Sequence, residues 1–152
     1  METKADSISE IQVVVFNLGE EEYGINISKV QEIIRMPDIT KLPNIHEYIL
    51  GVANLRGNVI PILDLKKRFM GYYSEYAEES RVIVVEIPTG KLGLVVDGVA
   101  EVIKLTGETI IDADSIGVGS SIDQDYLLGV AKYNDRLFIL LAVDDIIPEK
   151  VF

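Results

Sequence analysis

The run Val13-Val14-Val15-Phe16-Asn17-Leu18, followed after Gly19-Glu20-Glu21-Glu22 by Tyr23-Gly24-Ile25-Asn26-Ile27, occurs twice in this chain. Its second appearance is Val82-Ile83-Val84-Val85-Glu86-Ile87, then Pro88-Thr89-Gly90-Lys91, then Leu92-Gly93-Leu94-Val95-Val96. The register continues without a gap, so that Val30-Gln31-Glu32-Ile33-Ile34-Arg35 falls on Val99-Ala100-Glu101-Val102-Ile103-Lys104. After an insertion in the second copy, Ile49-Leu50-Gly51-Val52-Ala53 falls on Leu127-Leu128-Gly129-Val130-Ala131, and Val59-Ile60 on Leu137-Phe138. Apolar, glycine and charged positions agree in order. The chain is an internal duplication with a period of about 70 residues, too long for the usual solenoid repeats.

Each copy reads as mostly strand. Residues 13–18 are rich in β-branched side chains, and Tyr23, Ile25 and Ile27 alternate with Gly24 and Asn26. Glu20, Glu21 and Glu22 read as the solvated tip of the hairpin between them. Ser28 with Gln31 forms a capping box that predicts a short helical turn, ended by Met36-Pro37. Asn44 with Glu47, after Pro43, predicts another. Residues 51–55 and 59–65 read as strands joined by a tight turn at Arg56-Gly57, matched in the second copy by Tyr133-Asn134-Asp135-Arg136. A brief helix is expected over 66–70, and a polar linker over 72–79. Four to five short strands per copy with little helix predict a small barrel for each. Several strands are apolar on both faces, more than a free-standing barrel needs. The two lobes are therefore expected to bury surface against each other or against a partner.

The bulk composition narrows the function. The chain has 152 residues, of which 48% are hydrophobic, and a formal net charge of −11. Such a charge repels nucleic-acid backbones and anionic membrane surfaces. There is no cysteine and a single histidine, His46, so thiolate or multi-histidine metal sites and a cysteine nucleophile are absent. The N-terminal residues carry no basic-then-apolar leader and no apolar run spans a bilayer, which predicts a cytoplasmic protein.

Two long stretches resemble the CheW family of bacterial chemotaxis coupling proteins. Gly19-Glu20-Glu21-Glu22-Tyr23-Gly24-Ile25-Asn26-Ile27-Ser28-Lys29-Val30-Gln31-Glu32-Ile33 is similar to the start of the CheW-like domain. Gly51-Val52-Ala53-Asn54-Leu55-Arg56-Gly57-Asn58-Val59-Ile60-Pro61-Ile62-Leu63-Asp64-Leu65 is similar to its most characteristic segment. The resemblance runs from Ile11 to Ile147. It implies a single CheW-like domain of mostly β structure. Its two similar five-stranded SH3-like barrel lobes fall at about 11–71 and 80–147, with strand or tail exchange between them allowed. It also implies no catalysis and no cofactor. The implied partners are the regulatory domain of the histidine kinase CheA, the cytoplasmic tips of chemoreceptors (methyl-accepting chemotaxis proteins) and other copies of the family, with recruitment to receptor arrays at the membrane. Receptor contact falls on the positions of Val30, Glu32 and Arg56. A kinase or ring contact falls on the loop 111–116, where the family often has an arginine and a phenylalanine. Ile111 and Ile116 stand there instead, which makes that contact more apolar.

The duplication weighs these residues against one another. Asn134 occupies the turn position of Arg56, so the fold needs a turn there but not an arginine. Val30 and Glu32 recur as Val99 and Glu101, so packing and local charge pairing account for them equally well. Asp112-Ala113-Asp114 with Gly117 and Asp123 imitates part of a calcium loop, but Ile116 stands where an oxygen ligand belongs and no closing glutamate follows. No nucleophile–base pair, metal set or phosphate loop supports an enzyme. Two alternatives stay open: a small-ligand sensor using the cleft between lobes, and a family relative that tunes arrays rather than serving as their main coupler.

Overall fold

The computed structural model describes residues 10–106, 110–112 and 126–146. Among them are eleven strands. In chain order these are β1 (Glu10–Leu18), β2 (Glu21–Asn26), β3 (Val30–Arg35), β4 (Ile49–Leu55), β5 (Asn58–Asp64), β6 (Arg81–Ile87), β7 (Gly90–Val96), β8 (Gly98–Thr106), β9 (Ile110–Asp112), β10 (Leu127–Tyr133) and β11 (Arg136–Leu141). One α-helix, α1 (Leu65–Met70), follows β5. The protein is mostly β, in two sheets with the orders β8-β1-β2-β11-β10-β9 and β3-β6-β7-β5-β4.

Neither sheet is drawn from one repeat. The first hairpin of copy one, β1–β2, sits in the six-stranded sheet with four strands of copy two. Reciprocally, β6–β7 completes the five-stranded sheet around β3, β4 and β5. Residues 11–71 and 80–147 thus each supply strands to both sheets. Two parallel contacts join the donated hairpins to their hosts. Tyr23 and Gly24 lie beside Ile139 and Leu140, and Ile62, Leu63 and Asp64 beside Gly93, Leu94 and Val95. The sixth strand, β9, is a three-residue edge paired with β10. Its counterpart in the other sheet is reduced to a single bridge, Thr40 to Val52.

The strands that are apolar on both faces now have two destinations. Val13 and Val15 of β1 enter the core of the six-stranded lobe with Phe138 and Leu140. Val82 and Val84 of β6 enter that of the five-stranded lobe with Ile60 and Ile62. The intervening Val14, Phe16 and Leu18 meet Ile83, Val85, Leu92 and Leu94 in a third cluster shared by both sheets. All of these are buried, and full burial of each large side chain is worth about 1.5–3 kcal/mol.

Polar ties fix how the lobes meet. Asp97, where β7 passes into β8, pairs with Lys66 of α1 at 2.8 Å and accepts from the Gly19 amide at 2.7 Å. The hydrogen bond to Asp97 raises the Lys66 pKa above its usual value. Lys29, in the 3-10 turn (Ile27–Lys29) between β2 and β3, pairs with Asp144 at 3.0 Å. Asp144 belongs to the second 3-10 turn (Val143–Asp145), after β11. The two ties are near-equivalents with their charges reversed: Lys66 aligns with Asp144, and Asp97 stands one position before the counterpart of Lys29. The buried Asp64 caps α1 through the Lys66 and Lys67 amides and also accepts from the amide and hydroxyl of Ser74, pinning the linker.

Three local expectations change. The helical element expected from Ser28 to Met36 is only a 3-10 turn over 27–29, capped by Asn26, whose Oδ1 accepts from the Ser28 amide, and the residues after it, Val30–Arg35, form the strand β3. The segment expected to be helical at 44–47 is a bend, because Asn44 takes φ +59°, off the helical path. The first hairpin turns at Gly19-Glu20 alone, which places Glu21 and Glu22 inside β2.

The parallel contacts depend on two equivalent glycines, Gly24 and Gly93. A Cβ at Gly93 would stand 2.7 Å from Ile62 Cδ1 and 2.8 Å from Val82 Cγ1, and one at Gly24 would stand 2.5 Å from Val13 Cγ1. Overpacking of this kind costs about 1–3 kcal/mol. Gly93→Ala is expected to lower the unfolding free energy by that amount in denaturant titration. Adding Ile62→Val, which removes the nearer clashing methyl, is expected to recover part of it.

Candidate functional site: a paired arginine in each lobe

Glu32 and Arg56 lie 24 residues apart and meet. Glu32 is on β3, one edge of the five-stranded sheet, and Arg56 is in the turn joining β4, the other edge, to β5. The guanidinium binds the carboxylate through two parallel hydrogen bonds, Nη1 to Oε2 at 2.6 Å and Nη2 to Oε1 at 2.7 Å. This fork geometry is one that lysine cannot reproduce. The hydrogen bond to Glu32, with its charge, raises the Arg56 pKa. Glu32 is mostly covered, whereas the Arg56 side chain is 76% exposed.

The backbone at Arg56 is left-handed, φ +54°, and Asn134 has φ +53° at the same place in the second copy. Asparagine adopts this region readily; a long side chain does so at a cost. The turn therefore carries an arginine despite a local preference for another residue. Around the ion pair lies a cavity of about 280 Å³ lined by Gln31, Glu32, Leu55, Arg56, Asn58, Ile60 and Lys91.

The second lobe contains a related but different arrangement. Glu101, the counterpart of Glu32, binds Arg136 rather than a residue at the turn tip, at 2.8 Å. Arg136 also binds Glu22 at 2.9 Å and lies over the Phe138 ring. The hydrogen bonds to Glu22 and Glu101 raise its pKa. Glu22, expected at a solvated hairpin tip, is thus part of an ion-pair cluster.

A larger cavity, about 720 Å³, opens between the two sheets beside the Asp97 tie. Ile33 and Arg35 of β3, Val99 and Ala100 of β8, and Glu78, Glu79 and Arg81 line it. Val30 is not in the Arg56 cavity; it is partly buried against the shared core, at the start of β3. Ile111 is 39% exposed on the edge strand β9 of the other sheet. Ile116 lies outside the described residues. Among the described residues no group of acidic or histidine side chains could hold a metal ion, and no helix is long and apolar enough to cross a membrane.

This architecture can be set beside known proteins. The family model described as CheW-like domain matches residues 12–151. The chain belongs to the CheW-like family. A Chemotaxis protein CheW of Klebsiella aerogenes is 38% identical over 139 residues, covering 91% of this chain and 82% of the relative. That of Thermotoga maritima is 31% identical, covering 98% and 95%. The crystal structure of the scaffolding protein TtCheW from Thermoanaerobacter tengcongensis superposes with a TM-score of 0.84 at 38% identity, covering 93% of this chain and 97% of that one. The chain is thus a member of a family of chemotaxis scaffold and coupling proteins, with the two-sheet fold that its CheW-like sequence implies.

Within this CheW-like fold, the sequence comparison between copies drew attention to Arg56 but passed over Lys91 and Arg136. The same alignment sets Lys91 opposite Glu22, a charge reversal that marks the position. Because the turn prefers asparagine, Arg56→Asn is expected to leave the melting temperature unchanged or raise it. Arg136→Ala leaves Glu22 and Glu101 facing each other. It is expected to lower the melting temperature more than Arg56→Asn, by a margin that shrinks in high salt.

Proposed function

We propose that this chain is a non-enzymatic adaptor of the cytoplasm that couples chemoreceptor tips to the histidine kinase CheA within arrays at the membrane. The observation that carries the reading is the Arg56–Glu32 clamp. An exposed guanidinium is held in fixed orientation at a left-handed turn, in a place where the duplicate does without it. Receptor contact is assigned to Glu32 and Arg56, with Val30 shaping the β3 strand beside the groove between the sheets. That groove, open and rimmed by Arg35, Glu78, Glu79 and Arg81, suits a helical protein surface better than an apolar metabolite. The names of the relatives, which are chemotaxis proteins and a scaffolding protein, support the same reading.

Kinase or ring contact is assigned to the other sheet, at the β9 edge. Ile111 and Leu128 are exposed apolar side chains on adjacent strands there, and Ile116, the other residue assigned to this contact, follows five positions after Ile111 in the sequence. A short edge with exposed apolar residues is suited to pairing with another small barrel.

The test is a reconstituted receptor–kinase assay with separate binding measurements. Arg56→Ala is expected to weaken binding to a receptor cytoplasmic fragment by at least about tenfold and to abolish receptor control of the kinase. Binding to the CheA regulatory domain is expected to persist. Ile111→Asp is expected to do the reverse, since a charge desolvated in an apolar contact is costly, with a loss of about tenfold against the kinase domain. Full receptor control by the Arg56→Ala protein would remove that residue from the site.

A further inference from the structure

The Arg56 cavity contains one cation that its ion pair does not account for. Lys91, on β7, is half-buried and makes no ion pair among the described residues. Glu86 stands opposite it in the β6–β7 register, yet the two charges do not come within ion-pair distance. With Arg56 matched by Glu32, the lining carries a net charge of +1 (Arg56 and Lys91 against Glu32), on a chain whose overall charge is −11. An isolated positive site on an acidic surface selects for negative groups through its local field.

The duplicate shows that the fold does not require this charge. Glu22 occupies the position of Lys91, and with Glu101 it surrounds Arg136. That ion-pair cluster carries a net charge of −1 (Arg136 against Glu22 and Glu101), and its arginine is already held by two carboxylates. The first lobe has the opposite balance: an arginine with one carboxylate and a spare ammonium beside it.

We propose that Lys91 is a specificity-determining residue, and that the cavity it shares with Arg56 receives an acidic side chain of the partner bound at this site. The partner's carboxylate sits between the Lys91 ammonium and the outward face of the Arg56 guanidinium. It completes in trans the two-carboxylate arrangement that Arg136 has in cis. The volume fits this occupant. At about 280 Å³ the cavity is smaller than the roughly 300–1,000 Å³ of drug-sized ligand sites, so it accommodates a side chain better than a metabolite. The proposal rests on the receptor-contact reading of Arg56 and adds the chemistry of the contacted group.

The experiment titrates a chemoreceptor cytoplasmic fragment into the full chain by calorimetry at low and high salt. Lys91→Glu, which copies the second lobe, is expected to weaken binding by about tenfold or more, and Lys91→Gln by a few-fold. Lys91→Arg is expected to bind within about twofold of the parent, and the salt dependence of affinity is expected to flatten in the Gln variant. An acidic-to-lysine change in the fragment that restores binding to Lys91→Glu would identify the partner carboxylate. If Lys91→Glu does not fold, the Gln and Arg variants carry the comparison. Equal losses for Arg and Glu would overturn the proposal, because shape rather than charge would then decide. It also falls if Lys91→Glu binds normally while Arg56→Ala does not, with the receptor site left standing. If neither change affects binding, the receptor reading of the cavity falls with it.

Discussion

Two parallel strand contacts, β2 with β11 and β5 with β7, hold each sheet together across the boundary between the repeats. Each is short, and each brings together strands from different copies. Without them the six-stranded sheet would divide between β1–β2 with β8 and the β9–β11 strands, and the five-stranded one between β3–β6–β7 and β4–β5. The glycines at the contact, Gly24 and Gly93, let the neighbouring strand's Leu140 and Ile62 pack where a side chain would otherwise stand. The shared core then follows, since β1 and β6 each sit inside one lobe with one face and against the other lobe with the opposite face. The site geometry follows in turn, because Lys91 reaches the Arg56 cavity only as part of a hairpin donated by the second repeat.

The sequence made much of this visible. The doubled apolar faces of residues 13–16 and 82–85 pointed to burial between the lobes or against a partner, and the cluster shared by both sheets is the former. The turn at Arg56-Gly57 was readable because Gly57, between two apolar runs, suits a left-handed turn position, φ +87°. Which hairpin joins which sheet was not readable, since pairing between strands as far apart in sequence as Ile62 and Gly93 or Tyr23 and Ile139 leaves no local periodicity. Asn44 misled because its side chain suits a helix cap and a left-handed bend equally. The edge strand β9 is too short to leave a pattern. Glu22 was assigned to solvent because three consecutive glutamates normally mark a loop; its arginine lies 114 residues away.

The duplication also serves as an internal control on function. Both lobes keep a glutamate at the same place on an edge strand, Glu32 and Glu101, and both bind it with an arginine from the opposite hairpin. One arginine sits at an unfavoured turn position, outward and singly paired; the other is two residues further on, partly covered by Phe138 and doubly paired. The same charge-pairing device is doubly closed in one lobe and left open to solvent in the other. Two halves that share one fold therefore present two different charged faces.

The donated first hairpin has a consequence during synthesis. Val13, Val14, Val15 and Phe16 are fully or almost fully buried in the finished molecule, but the strands that cover them are made late. Tyr23 waits for Ile139, about 115 residues downstream. At ribosomal elongation rates of about 5–20 residues per second, the hairpin spends on the order of ten seconds without its host sheet. For that interval a strongly apolar, β-prone strand is exposed near the ribosome. The nascent chain is then most open to chaperone capture or to pairing with a neighbouring copy, and high contact order slows its closure further.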